Sequence, residues 1–272
     1  SVLIKHAPNA GLCANLLGQI FVSSGFGNSY QNAFASTNQC EEMIQDRSVK
    51  GVSVTGSCKA GRAVAAIAGR NLKPLILELG GSDVFIVNDT NDLKSLVKIA
   101  IVARLQNNGQ SCIAAKRFLI QVDLIEDFKL LLIDELSQVT IGGPALESVT
   151  VGPLARLDLK EEFDYQINKA ELEGANLIYR KAHNQEEGFF VDVSVFEIEK
   201  ITNILMNEEV FGPCFVLKSY YSIEEAIEIA NNSNFGLSAS VWTDDETLKK
   251  KCVDEIESGA VFINKMSSSD SR

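Results

Sequence analysis

The stretch that decides the fold is Gly51-Val52-Ser53-Val54-Thr55-Gly56-Ser57-Cys58-Lys59-Ala60-Gly61, followed by the Ala-rich run to Gly69 and then by Pro74-Leu75-Ile76-Leu77-Glu78-Leu79-Gly80-Gly81. A short β-branched run feeds a tight glycine turn, the turn feeds a helical segment, and a second apolar strand follows. Strand, helix and strand at this spacing predict a βαβ unit and therefore a parallel sheet. Moving toward the start, Val2-Leu3-Ile4 reads as a short buried strand. Residues 9–24 place Leu12, Leu16, Leu17, Ile20 and Phe21 at helical spacing, and Asn32–Ala35 reads as a weak strand. Moving toward the end, the pattern restarts at Val84-Phe85-Ile86-Val87. It continues through a helix over 91–105, a polar loop over 107–112, a strand at Phe118-Leu119-Ile120, helices over 125–136 and 163–172, and strands near 215–217, 240–242 and 260–263. The fold class expected is α/β: a partial parallel Rossmann-like cofactor domain over 1–79, an α/β catalytic domain over 80–265 and a short tail over 266–272. The Gly80-Gly81 pair is the expected hinge.

Composition narrows the function classes. The 272 residues carry a formal net charge of -11, with 46% apolar and 22% charged residues. That acidity argues against a nucleic-acid backbone as partner, which calls for clustered Lys and Arg. Six cysteines form no C-x-x-C pair and only two histidines accompany them, so no metal site is expected and the thiols are read as reduced. No apolar run reaches the length of a membrane span, and no secretory leader opens the chain. A cytoplasmic location is the expectation. Both ends fall beside β-like runs, so the chain is expected to be cut short at both.

Four segments carry chemistry. The turn Gly56–Gly61 joins a strand to a helix start, where N–H groups and the positive helix end suit a phosphate; on its residues alone it reads equally as a plain turn. Glu78 ends an apolar strand, where desolvation would lift its pKa toward that of a base; a carboxylate reaching water is the alternative. Cys112 sits in the polar loop Asn107-Asn108-Gly109-Gln110-Ser111-Cys112, where a thiol can be both reachable and surrounded by N–H donors, although most lone cysteines are core residues. Glu208-Glu209-Val210-Phe211-Gly212-Pro213 sets two acids before an aromatic and a turn, as a ribose contact or as a solvated loop.

Taken in this order, these strings resemble the aldehyde dehydrogenase superfamily, as do Asn234–Ala239 and Gly259–Asn264. Gln110-Ser-Cys-Ile-Ala-Ala-Lys-Arg, Glu78-Leu-Gly-Gly-Ser-Asp and Lys5-His-Ala-Pro-Asn are most similar to bacterial succinate-semialdehyde dehydrogenases. The resemblance implies an oxidoreductase using NAD or NADP, a small aldehyde as substrate and no metal. It makes Cys112 the nucleophile and Glu78 the general base. Lys5 and Glu209 fall to ribose hydroxyls, Phe211 to the nicotinamide side, and Gly56, Ser57, Gly61 and Leu79 to the cofactor phosphates and their surroundings. The Cys112 N–H becomes an oxyanion donor. Where related enzymes carry a substrate-binding Arg six positions before the nucleophile, this chain has Gln106, so Arg104 and Ser269 become the candidates for the substrate carboxylate. Pro8 stands where NAD-preferring members carry an acid, which leaves NADP open.

The family's upstream Pro-Trp-Asn string and downstream Pro-Phe-Gly-Gly segment are absent. The expectation is therefore little dehydrogenase activity from this chain and an active, homo-oligomeric parent. Two other readings stay open: a non-catalytic folded module, and a cofactor-free thiol hydrolase acting through Cys112.

Overall fold

The computed structural model describes residues 1–269; the last three positions of the expected 266–272 tail lie outside the described residues. The architecture is α/β, and the chain forms two compact units, one over Ser1–Leu79 and one from Gly80 onward.

In the first unit, β1 (Val2–Ile4) pairs in parallel with β2 (Tyr30–Asn32), and α1 (Gly11–Ser23) connects them. Phe21 of α1 stacks on Tyr30 with ring centroids 4.2 Å apart. The helix α2 (Thr37–Gln45) starts with a capping box made by Ser36 and Gln39. Then β3 (Val52–Thr55) pairs in parallel with β4 (Leu75–Glu78) across α3 (Cys58–Arg70), as the βαβ reading requires. The helix starts at Cys58 because the Ser57 hydroxyl accepts from the Ala60 N–H at 3.2 Å, a serine N-cap. One expectation fails here. The strand at 2–4 was expected to be buried, and the apolar strand within 74–79 to desolvate Glu78, yet Val2, Leu3, Ile76 and Leu77 are exposed. The cause is that each sheet has two strands only, too few to cover both faces.

The second unit is built on a seven-stranded sheet in the order β11-β10-β5-β6-β9-β8-β7. Its strands are β5 (Asp83–Val87), β6 (Ala115–Gln121), β7 (Asn176–Lys181), β8 (Val193–Glu197), β9 (Cys214–Tyr220), β10 (Ser238–Trp242) and β11 (Ala260–Ile263). Every pairing is parallel except β7 with β8, which is antiparallel. The sequence reading missed these two strands.

Period-two alternation distributes the apolar side chains over both faces. Phe85, Val87, Phe118, Ile120, Phe215 and Leu217 pack under α4 (Leu93–Leu105) and α5 (Ile125–Ser137). Val84, Ile86, Leu119, Val216 and Val241 face the opposite layer. That layer is built from α6 (Leu157–Leu172), α7 (Ile204–Asn207), α8 (Ile223–Asn231) and α9 (Glu246–Glu255). Among the described residues no helix is long and apolar enough to cross a membrane.

Candidate active site

In the first unit the parallel register sets Thr55 beside Glu78. Two of the segments singled out above therefore end side by side. The Gly56 N–H donates to the Glu78 carbonyl at 3.0 Å. Gly61 lies so close to Leu79 that a Cβ there would come within 2.6 Å of the leucine side chain. The N-terminus of α3 thus closes tightly over the end of β4, leaving the N–H groups of a helix start near two glycines. This arrangement fits a pyrophosphate. Glu78 itself is exposed, so the desolvation expected from its sequence setting is absent. Lys5 is exposed just past β1.

In the second unit Cys112 precedes β6 and is half-buried with a free thiol. The expected polar loop begins with a short 3-10 turn over Gln106–Gly109 in which Asn107 (φ 50°), Asn108 (φ 60°) and Gly109 (φ 77°) are all left-handed. Asparagine tolerates that region and glycine adopts it freely. Side chains hold the bend. Asn107 Nδ2 donates to the Gln110 carbonyl at 2.9 Å, and Asn108 Oδ1 accepts from the Gly152 N–H at 2.7 Å. Gln110 Oε1 accepts from the Ala155 N–H at 2.9 Å. Gly109 rests directly on the Gly212 backbone, so the Cys112 loop and the Glu209–Pro213 segment meet without side chains between them.

That meeting brings Cys112 and Glu209 together, and Lys116 joins them. Lys116 Nζ donates to the carbonyls of Ser111 (2.8 Å) and Cys112 (3.0 Å) and lies 3.5 Å from Glu209 Oε1. The same carboxylate oxygen accepts from the Gly81 N–H at 3.1 Å. Both glycines of the Gly80-Gly81 pair are needed at this point. A Cβ on Gly80 would fall on the Glu209 carboxylate, and one on Gly81 would lie 2.8 Å from the Cys112 carbonyl oxygen. Lys116 is fully buried. Burial pushes its pKa down to about 8, and Arg104 pushes it the same way; Glu209 and Asp83 oppose the shift. The sequence reading missed Lys116. The available signal was a pair of basic residues, Lys116-Arg117, opening an otherwise apolar strand.

Arg104 corrects an expectation. Assigned to the substrate carboxylate, it is instead wholly buried. It donates to the carbonyls of Cys214 (2.6 Å) and Val210 (2.8 Å) and to that of Gly212. A guanidinium spent on three backbone oxygens shapes the loop after Glu209 and is shut away from any dissolved ligand. Phe211 is half-buried in that loop, and Ser269 is exposed. Arg117 donates to the Ser82, Ile229 and Ala230 carbonyls, the last two at the end of α8. Asp83 accepts from the Ser238 N–H at 3.1 Å and from its hydroxyl; burial raises its pKa to about 6. Among the described residues no cluster of His, Cys, Asp and Glu could hold a metal ion.

The second unit thus presents a half-buried cysteine beside a left-handed bend and next to an acidic segment, and the first unit a glycine turn at a helix start. The model of the aldehyde dehydrogenase family matches residues 1–272, and the chain belongs to that family. Among individual proteins, it is 39% identical over 265 residues to the succinate-semialdehyde dehydrogenase [NADP(+)] 1 of Mycobacterium tuberculosis, covering 97% of this chain and 58% of that one. It is 38% identical to an aldehyde dehydrogenase of Paenarthrobacter nicotinovorans, covering 98% and 58%. Among solved structures, the succinic semialdehyde dehydrogenase of Streptococcus pyogenes with NADP+ superposes with a TM-score of 0.94 at 34% identity, covering 98% of this chain and 59% of that one. The chain thus spans well under two thirds of the length of these relatives.

Proposed function

We propose that this chain carries the nucleophile of an NAD(P)-dependent aldehyde oxidation, with succinate semialdehyde as the substrate. The observation that carries the reading is the clamped Cys112 loop, held against Glu209 through Lys116. In this reading Cys112 Sγ attacks the aldehyde carbon, and the developing oxyanion takes the Cys112 N–H. When bound, the nicotinamide accepts the hydride that leaves the resulting tetrahedral carbon. The acyl group stays on sulfur as a thioester. Glu78 takes a proton from water, the hydroxide formed attacks the thioester carbon, and the thiolate leaves. The exposure of Glu78 gives water free access to it. Lys5 and Glu209 serve the ribose hydroxyls, the Gly56–Gly61 turn with Ser57 and Leu79 serves the pyrophosphate, Phe211 borders the nicotinamide, and Ser269 meets the substrate carboxylate. NADP is preferred over NAD, in keeping with the NADP of the Mycobacterium tuberculosis and Streptococcus pyogenes relatives. The parent protein acts as a homo-oligomer in the cytoplasm.

The test is a single-turnover assay with the chain in excess over succinate semialdehyde, following reduced nicotinamide with NADP and with NAD. The reading expects formation of reduced cofactor that Cys112→Ala removes completely. Signal that survives Cys112→Ala overturns it. A second reading, a folded module without turnover, is favoured by the exposed apolar residues of β1 and β4. Calorimetric titration with NADP separates the two, because the module would bind the dinucleotide weakly or not at all.

A further inference from the structure

Lys116 is the group that the reaction outlined above leaves unused. Burying a cation is costly unless its hydrogen bonds do something that an apolar side chain could not. Its two shortest contacts are to backbone carbonyls, those of Ser111 and Cys112, and the Glu209 carboxylate lies farther away. The Ser111 carbonyl is the informative partner. The peptide bond joining Ser111 to Cys112 is trans, there being no cis bond in the described chain. A planar trans peptide points its C=O and N–H in opposite directions. Fixing the Ser111 oxygen therefore fixes the direction of the Cys112 N–H. The Ala114 N–H holds the same oxygen at 3.2 Å, so the peptide is pinned from two sides. The Cys112 carbonyl, at the other end of the residue, is held by Lys116 and hemmed in by Gly81.

We propose that Lys116 is a positioning residue that aims the Cys112 N–H at the place where the oxyanion forms. The proposal rests on Cys112 being the nucleophile. Lys116 keeps its charge at neutral pH, since burial brings it down only to about 8 and the Glu209 and Asp83 carboxylates oppose the fall. Arg104, a second buried cation of this neighbourhood, works on different carbonyls, at Val210, Gly212 and Cys214, and Arg117, a third, on those of Ser82, Ile229 and Ala230. Arg104 thus shapes the acidic segment, while Lys116 sets the nucleophile's own peptide.

Two cofactor-free reactions of the 272-residue chain test this. With 4-nitrophenyl acetate, the Cys112 thiolate attacks the ester carbonyl, nitrophenolate leaves and the acetyl group remains on sulfur; this passes through an oxyanion. With iodoacetamide, the thiolate displaces iodide at a saturated carbon and no oxyanion forms. Peptide mass mapping reports each adduct at Cys112. In Lys116→Met the proposal expects acetylation to slow by about tenfold or more while alkylation stays within about twofold, because only the first reaction uses the N–H donor. Lys116→Gln, which keeps an N–H donor, falls less than Lys116→Met. Acetylation that is unchanged, or that falls in step with alkylation, overturns the positioning role, because a merely structural defect would slow both alike. A wild-type chain that alkylates but never acetylates Cys112 refutes the nucleophile reading itself.

Discussion

Arg104→Met separates a loop-shaping arginine from a substrate-binding one. The guanidinium makes three charge-assisted bonds, to the carbonyls of Val210, Gly212 and Cys214. A buried carbonyl left without a partner costs about 1–3 kcal/mol, which sets an upper bound of roughly 3–9 kcal/mol for three. Two effects reduce it. The Gly212 oxygen keeps the Cys214 N–H at 2.8 Å. Arg104 Nη1 is buried without a hydrogen-bond partner, and burial lowers the Arg104 pKa to about 10, so removing the cation returns part of its desolvation cost. The expected net loss is about 2–4 kcal/mol, within the range for breaking a buried network. Urea unfolding can be followed at Trp242, the sole tryptophan, whose ring stacks on Phe85 at 5.5 Å. Arg104→Lys should rescue little, because one ammonium cannot span three carbonyls. A loss below about 1 kcal/mol, with a selective rise in KM for carboxylated aldehydes, would refute this account and restore Arg104 to the substrate.

Other outcomes follow from the same geometry. Gly109→Ala should cost about 1–3 kcal/mol by forcing a side chain into a left-handed residue and onto the Gly212 backbone; an unchanged urea midpoint with unchanged Cys112 acetylation would contradict it. Phe118→Ala, which removes the fully buried ring that packs against both Phe85 and Phe215, should cost about 3–5 kcal/mol in the same titration. Asp83→Asn should change the pH dependence of stability. Its folded pKa is raised from 3.8 to about 6 by burial, which Ser238, Lys116 and Arg117 only partly offset. The native state therefore holds the Asp83 proton more tightly than the unfolded chain, and wild-type stability from this group is lost as pH rises from about 4 through about 6. The gap in urea midpoint between Asp83→Asn and wild type should move in the variant's favour across that window; a constant gap would show that Asp83 is not held in this way.

What the sequence revealed and what it hid divide along a physical line. The βαβ units were legible because β-branched runs, glycine turns and helical periodicity are local properties, carried here by strands and helices of three to sixteen residues. The strands β7 and β8 escaped because their signal is not local. Asn176–Lys181 is a mixed polar run whose half-buried residues become a strand only against β8. The site divides in the same way. Cys112, Glu78 and Glu209 stand out as reactive groups in unusual sequence settings. Lys116 and Arg104 do not: a lysine in a strand looks like a surface charge until the loop before it folds back onto it, and an arginine in a helix until the carbonyls it serves arrive from elsewhere. Those of Arg104 come from over a hundred positions away. The Glu78 setting misled in the opposite direction. Its apolar neighbours suggested burial, yet burial depends on what covers a strand, and β4 has a partner on one edge only. Burial and backbone recognition are tertiary quantities. Residue type in its local setting can nominate a reactive group, whereas the buried cations that hold its backbone and that of the neighbouring segment become visible only once the chain has folded.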